Sequence, residues 1–178
     1  MNMIDHTSKP QRRPLRPPVF DIIRGLFGAF IGIGSIAALV QFILNDADLI
    51  LVIGSFASTA ALIYGAPYSP LAQPFNVVFG HLVSAVVGVT IFQIVGEANW
   101  FSAALAVSLA IFAMQVSRSL HPPGGATAMI AVLGSPEIHE LGFLFIIYPV
   151  GLGVALLVSV ALVTNNFRTH RSWPEFWL

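Results

Sequence analysis

The feature that most constrains this chain is a series of long apolar runs with very few charges. Gly25–Leu44 places 20 uncharged residues in a row, which at about 1.5 Å per residue reach roughly 30 Å, one bilayer core. Only 9% of the 178 residues are charged, against about a quarter in an ordinary soluble domain. The run is too long for the apolar core of a signal peptide, so we predict a retained transmembrane helix.

The remaining apolar segments predict an all-α polytopic membrane protein with about five transmembrane helices and one short half-helix. The four further long segments are Leu49–Gly65, Val77–Gly96, Phe101–Ser117 and Leu141–Thr164. The short segment, Gly124–Gly134, extends only about 17 Å, little more than half the bilayer core. We expect a flexible basic tail at 1–19, a transmembrane domain at 20–166 and a short tail at 167–178.

The charges predict how the helices are oriented. If the tail at 1–19 is cytoplasmic and every segment crosses once, all Lys and Arg fall on the cytoplasmic side, whereas the opposite connections carry only acids. This arrangement satisfies the positive-inside rule and predicts cytoplasmic N- and C-termini. The short segment crosses only if the preceding loop, Ser117–Pro123, dips into the membrane. Irregular backbone at that depth is tolerated where it is buried in protein or lines a wet cavity.

The sequence from Ser117 to Thr127, SRSLHPPGGAT, carries the first candidate site. Its prolines end one helix and start the next, and its glycines leave the backbone uncovered. The N–H groups and dipole of a helix N-terminus attract anions, and Arg118 adds a full positive charge. We predict that Arg118, Ser119, His121, Gly124, Gly125 and Thr127 bind a small anion.

A second proline-rich stretch, Ser69–Asn76, lies on the same predicted face. Its amide side chains can hold an oxyanion without charge, so we predict that Ser69, Gln73 and Asn76 form the opposing wall of the site. His121 and His81 are the candidate carriers of a coupled proton, because imidazole titrates near neutral pH.

Structural interpretations of the same residues remain open. Arg118 is also typical of an anchor that reaches lipid head groups at a helix end. His121 also suits a hydrogen bond to a loop carbonyl, and Thr127 suits capping or packing. His81 equally suits an interhelical hydrogen bond.

Several function classes find no support in the sequence. The chain has no Cys, which excludes disulfides, thiolate catalysis and Cys-based metal sites. It contains no G-x-S-x-G or H-E-x-x-H motif. We therefore expect no enzymatic activity, no cofactor, no metal and no nucleic-acid partner.

Small residues recur at the spacing of helix-packing faces. The pairs and triplets are Gly28 with Gly32, Gly54 with Ser58, Gly80 with Ser84 and Gly88, and Gly151 with Ala155. They predict tight packing of the bundle. The small faces of the first and last spans also leave room for a second copy, so we expect a homo-oligomer.

Two motifs in order, GAPYSPLAQPFNVVFGHLVSAVVGV and SRSLHPPGGATAMIAVLG, resemble the HPP family of membrane proteins. The family takes its name from the triplet held here by His121, Pro122 and Pro123, and the likeness covers roughly 21–164. It implies a protein of the bacterial inner membrane or the chloroplast envelope, and nitrite transport has been assigned to members. We expect transport of a small monovalent anion, nitrite by this resemblance, across the bacterial inner membrane. A membrane scaffold or assembly protein is the alternative.

Overall fold

The computed structural model describes residues 16–41, 46–169 and 171–177, and every regular element in these ranges is helical. The helices are α1 (Val19–Val40), α2 (Asp46–Gly65), α3 (Pro74–Val95), α4 (Trp100–Val116), α5 (Pro122–Leu133), α6 (Pro136–Leu141) and α7 (Leu152–Thr164). A 3₁₀ turn, Pro70–Ala72, precedes α3, and a wide helical turn, Ile146–Gly151, leads into α7. The predicted all-α membrane fold is confirmed.

Hydropathy and length divide the helices into long and short spans. Three of them, α1, α3 and Ile146–Thr164, are long and apolar enough to cross a bilayer, whereas Leu51–Gly65, Trp100–Val116 and Pro122–Leu133 form shorter apolar helices. The first helix begins at Val19, earlier than the predicted Gly25. Asp21 and Arg24 form an ion pair at 3.1 Å, which lets these charges lie in the first turns of the helix. The predicted end at Leu44 and most of the tail at 1–19 lie outside the described residues.

Local sequence signals explain where several helices start and stop. Pro74 occupies the first turn of α3, where a missing N–H costs nothing. The same helix ends at Gly96, whose φ of 73° is the left-handed conformation that glycine adopts freely. Asn99 and Ser102 form a reciprocal capping box at the start of α4.

The two ends of the bundle differ in charge. At the end that we call the basic end, the 66–73 loop, the 117–123 loop and the C-terminal segment meet: Asn76 donates to the Leu120 carbonyl and Tyr68 donates to the Arg171 carbonyl. At the other end, the backbone N–H of Ser135 donates to Asp48. The helix α5 therefore runs from one end to the other, as its predicted crossing requires.

The loop that leads into the short helix α5 is recessed into the bundle. Gly80 lies six residues beyond Pro74 in α3, which places it about 9 Å below the start of that helix. A Cβ atom added at Gly80 would lie 2.5 Å from Cβ of His121, so His121 is at the same depth. The 117–123 loop thus reaches into the bundle at His121, and its predicted dip into the membrane stays a prediction.

Small residues pack the bundle on some of the predicted faces. Added Cβ atoms at Gly28 and Gly32 would clash with the Tyr64 side chain, and one at Gly88 would clash with α5. The prediction is wrong for Gly54, which has no neighbour within 4 Å of an added Cβ, because α2 turns this face outward.

Candidate functional site

Two buried histidines lie side by side where α2, α3 and α5 meet. The ring centroids of His81 and His121 are 5.1 Å apart, and neither residue is exposed to solvent. The hydroxyl of Thr59 joins them, at 2.7 Å from Nε2 of His81 and 3.1 Å from Nε2 of His121. A buried Thr on α2 thus connects the histidine of α3 to the histidine that precedes α5.

Hydrogen bonds extend this cluster in both directions. Nδ1 of His81 lies 2.7 Å from the Thr127 hydroxyl, which lies 3.0 Å from the Ser55 hydroxyl. At the other end, Nδ1 of His121 lies 2.8 Å from the Leu71 carbonyl oxygen. We call the connected side chains the histidine–hydroxyl chain: Ser55, Thr127, His81, Thr59 and His121.

The chemistry of the partners determines where the hydrogens lie. The Leu71 carbonyl only accepts, so Nδ1 of His121 carries a hydrogen and donates it. With both rings neutral, Nε2 of His121 accepts from Thr59, and the Thr59 oxygen accepts from Nε2–H of His81. The remaining hydroxyls donate in the same direction, so every side chain of the histidine–hydroxyl chain is satisfied.

One additional proton on His121 would reverse the direction of these hydrogen bonds. If Nε2 of His121 gains a hydrogen, it donates to Thr59, whose own hydrogen then points to Nε2 of His81. The reversal passes along the chain to Ser55, whose hydroxyl is 3.2 Å from the Pro123 carbonyl and donates to it. The same atoms therefore accommodate two complete hydrogen-bond arrangements that differ by one proton.

The sequence matches the model of the HPP transmembrane region over residues 14–174. The chain belongs to the HPP transmembrane family. Its resemblance to that family is confirmed.

Two relatives of this HPP protein are transmembrane proteins of Dictyostelium discoideum, and their names describe them only as such. One is 44% identical over 170 residues, which cover 94% of this chain and 54% of the relative. The other is 44% identical over 174 residues, which cover 96% of this chain and 60% of the relative. The chain thus spans little more than half the length of these curated relatives. No solved structure matches it.

Residues of the predicted opposing wall hold the loops of the HPP protein in place. Asn76 donates to the Leu120 carbonyl at 3.0 Å and so joins α3 to the 117–123 loop. Gln73 is fully buried and donates to the carbonyls of Pro67 and Ser69, each at 3.0 Å. The Ser69 hydroxyl caps the 3₁₀ turn. The two proline-rich stretches are therefore in direct contact.

The C-terminal segment also contacts this region, a feature that the sequence analysis did not predict. The backbone N–H of Glu175 donates to Oε1 of Gln73 at 2.8 Å, and Trp173 is buried. Gln73 thereby connects the 66–73 loop to the end of the chain.

Arg118 lies apart from the histidine–hydroxyl chain. It is exposed, and its φ of 57° is in the left-handed region. The N–H of Ser119 donates to the Met114 carbonyl, and the N–H of Arg118 donates to the Gln115 carbonyl. These two bonds form a Schellman motif at the end of α4, in which Arg118 takes the position that glycine usually occupies. Ser119 is buried and its hydroxyl lies 2.7 Å from that of Ser117. The loop thus presents an arginine to the surface at a conformational cost.

The N-terminus of α5 offers fewer donors than the sequence analysis expected. Pro122 and Pro123 occupy its first positions and have no N–H, and the N–H of Gly124 bonds to the His121 carbonyl. The backbone at Gly124 and Gly125 is buried rather than uncovered: a Cβ atom at Gly124 would lie 2.7 Å from the hydroxyl of Ser84. That hydroxyl is buried and has no hydrogen-bond partner among the described residues.

Two members of the histidine–hydroxyl chain, Ser55 and Thr59, were not predicted. They are four residues apart on α2, so they share one helix face, and both are buried. The presence of two hydroxyl side chains on one face of an apolar helix was the sequence signal that could have indicated this polar cluster. The expected alternatives for His121 and His81 are both realised, since His121 bonds to a loop carbonyl and His81 bonds across helices.

Proposed function

We propose that this HPP protein moves a small monovalent anion across the membrane, with nitrite as the substrate that the family resemblance implies, and that a proton moves with it. The observation that carries the proposal is the histidine–hydroxyl chain, in which Thr59 joins His81 to His121. Its two hydrogen-bond arrangements differ by the gain or loss of one proton.

The location of the cluster supports a transport role. Ionisable side chains inside a membrane domain are costly, so they mark ion paths and proton relays by default. His81 lies about two turns into a helix that is apolar enough to span the bilayer, and His121 lies at a similar depth beside Gly80. Bundle packing alone is served by apolar side chains and does not need this polar set.

The proposal assigns separate tasks to the proton and the anion. The histidine–hydroxyl chain carries the proton. Arg118, exposed on the 117–123 loop at the basic end, attracts the anion toward the bundle. The Ser84 hydroxyl, one turn beyond His81 on α3, is buried without a hydrogen-bond partner among the described residues, and we assign it to the oxyanion as a donor.

Orientation and assembly belong to the same proposal. The basic end faces the cytoplasm of a bacterial cell, because the described arginines lie there and the opposite connections carry acids. The chain forms a homo-oligomer in the inner membrane. The exposed face of Gly54 and Ser58 on α2 is free of intrachain packing and suits a second helix.

A membrane scaffold is the second candidate function. It is favoured by the hydrogen bonds that hold the loops together, such as the one from Asn76 to the Leu120 carbonyl, because a rigid surface suits a scaffold. An enzyme is the less suitable assignment. The sequence contains neither the G-x-S-x-G nor the H-E-x-x-H motif of hydrolases.

The test is anion uptake into proteoliposomes that contain the purified protein. Nitrite, nitrate, formate and chloride are compared with and without a pH gradient, and a trapped pH dye reports proton movement. We expect nitrite uptake that is accompanied by a pH change of the lumen. If no anion moves under any gradient, the transport proposal fails and the scaffold takes its place.

A matched pair of histidine variants locates the proton carrier. His121→Asn retains a donor for the Leu71 carbonyl but removes the nitrogen that faces Thr59, so we expect the pH change to disappear. His139→Asn is the control. The His139 ring stacks on Phe92, with the two ring centroids 3.5 Å apart, and His139 is not part of the histidine–hydroxyl chain. Equal pH changes in both variants would remove His121 from the proposal.

A further inference from the structure

A groove between α1 and α2 lies apart from the histidine–hydroxyl chain. Its volume is about 1000 Å³, and its walls are mainly apolar, with Ala29, Ala61 and Tyr64 among the lining residues. Along α1 it extends from Asp21 to Ala29, which is about 12 Å of helix. The groove therefore runs from the basic end into the depth of the bundle.

One buried arginine lines this groove. The side chain of Arg24 is only 6% exposed, and its Nη2 atom pairs with Asp21 at 3.1 Å. Its Nη1 atom is buried and has no hydrogen-bond partner among the described residues. A buried guanidinium nitrogen without a partner is costly, which favours a ligand that supplies an acceptor. A smaller cavity of about 310 Å³ lies on the α7 side of the same arginine.

Further cations lie near the mouth of the groove. The guanidinium of Arg171 stacks 4.0 Å over the ring of Tyr68, a lining residue, and also pairs with Glu175. Arg16 is exposed and directly precedes Pro17, another lining residue. Asp21 is the acid in the lining, and it occupies only one nitrogen of Arg24. The mouth thus combines positive charge with apolar walls.

We infer that this groove binds a lipid with an anionic phosphate head group. The phosphate accepts from Nη1 of Arg24, and one acyl chain lies along Ala29 and Ala61. A free phosphate ion would use the arginine but would leave the apolar walls uncovered. An uncharged or zwitterionic lipid would contact the apolar walls, but its head group would bring no net negative charge to the basic mouth. The arrangement fits an anionic lipid of the membrane leaflet at the basic end.

The test is native mass spectrometry of the purified protein with defined lipids. Phosphatidylglycerol and phosphatidylcholine with identical acyl chains are titrated separately, and glycerol phosphate serves as the free-phosphate probe. We expect phosphatidylglycerol to bind more tightly than either phosphatidylcholine or glycerol phosphate.

Variants test the head-group and acyl-chain contacts independently. Arg24→Gln removes a charge-assisted hydrogen bond and is expected to weaken phosphatidylglycerol binding by about tenfold or more. Ala61→Phe, at an exposed position in the groove wall, fills the acyl-chain path and leaves Arg24 in place. Arg118→Gln is the control, because it removes an exposed arginine at the same end but outside the groove lining.

Each result has a defined meaning. Weaker binding in Arg24→Gln and Ala61→Phe, with Arg118→Gln unchanged, supports the site. Equal binding of both lipids, or equal weakening by all three variants, overturns it. If Arg24→Gln does not fold, Ala61→Phe decides the outcome by itself. Lipid binding is measured without transport, so its result is separate from that of the anion proposal.

Discussion

Gly80 of α3 is in direct contact with His121 of the 117–123 loop. A Cβ atom added at Gly80 would lie 2.5 Å from Cβ of His121 and 2.8 Å from the Ser119 carbonyl oxygen. Those distances are shorter than any relaxed contact, so a glycine at position 80 is what allows the loop to reach this depth. The position of His121 beside His81 depends on the absence of a side chain one residue earlier in α3.

We predict that Gly80→Ala displaces the loop and lowers the free energy of unfolding by about 1–3 kcal/mol, as overpacked sites do. Thermal unfolding in detergent, followed by tryptophan fluorescence, measures the change. Gly54→Ala is the control, because nothing lies within 4 Å of an added Cβ there. Similar melting temperatures for Gly80→Ala and the parent would contradict the contact.

Thr59→Val removes the hydroxyl that joins the two histidines and preserves the shape of the side chain. We expect an intact fold that is less stable by about 1–3 kcal/mol, since imidazole nitrogens lose their partner. In proteoliposomes, nitrite uptake should no longer change the pH of the lumen, whereas Thr59→Ser should restore the effect.

The control for this substitution is Thr90→Val, because the Thr90 hydroxyl donates to a carbonyl of its own helix, that of Val86. An unchanged ratio of protons to nitrite in Thr59→Val would show that Thr59 is not part of the proton path.

Gln73→Leu is expected to release the C-terminal segment from the 66–73 loop. The substitution removes the acceptor for the Glu175 N–H and both donors to loop carbonyls, each bond contributing about 1 kcal/mol. Hydrogen exchange of the 171–177 amides should become faster. Gln115→Leu, at an exposed position, is the control. Equal exchange rates in the two variants would contradict the contact between Gln73 and the C-terminal segment.

Arg118→Gly separates conformation from charge. Glycine adopts the φ of 57° freely, so we expect a gain in stability of about 1 kcal/mol. Loss of the exposed charge should slow nitrite uptake, most strongly at low ionic strength. Arg168→Gly is the matched control, because Arg168 also has a positive φ, of 48°. Uptake that is as fast in Arg118→Gly as in the parent at low salt would exclude the attraction assigned to Arg118.

Sequence reasoning predicted the features that depend on local signals and on the distribution of charges along the chain. The prolines around His121 and the placement of arginines were sufficient to predict a recessed loop and a short crossing helix. The missing donors at the start of α5 were also readable from the sequence, because Pro122 and Pro123 have no N–H groups to offer.

The polar contribution of α2 was not predictable in the same way. This helix carries small or hydroxyl residues on adjacent faces, Gly54 with Ser58 and Ser55 with Thr59. Local periodicity does not say which face is buried. The packing of Phe56 against Gly153 and the ring of His81 sets the rotation of the helix and turns Ser55 and Thr59 inward. Likewise, the burial of Trp173 depends on contacts with residues far away in the sequence.

The proposed reversal of the histidine–hydroxyl chain shifts hydrogens between atoms that already lie within hydrogen-bond distance of one another. A switch of this kind requires no repacking of the bundle, so the close contacts of glycines such as Gly80 are compatible with it. Its two states differ in which imidazole nitrogens are protonated, a difference that ¹⁵N chemical shifts of the histidine rings report directly. The proposed proton transfer is therefore compatible with the tight backbone contacts that these glycines make.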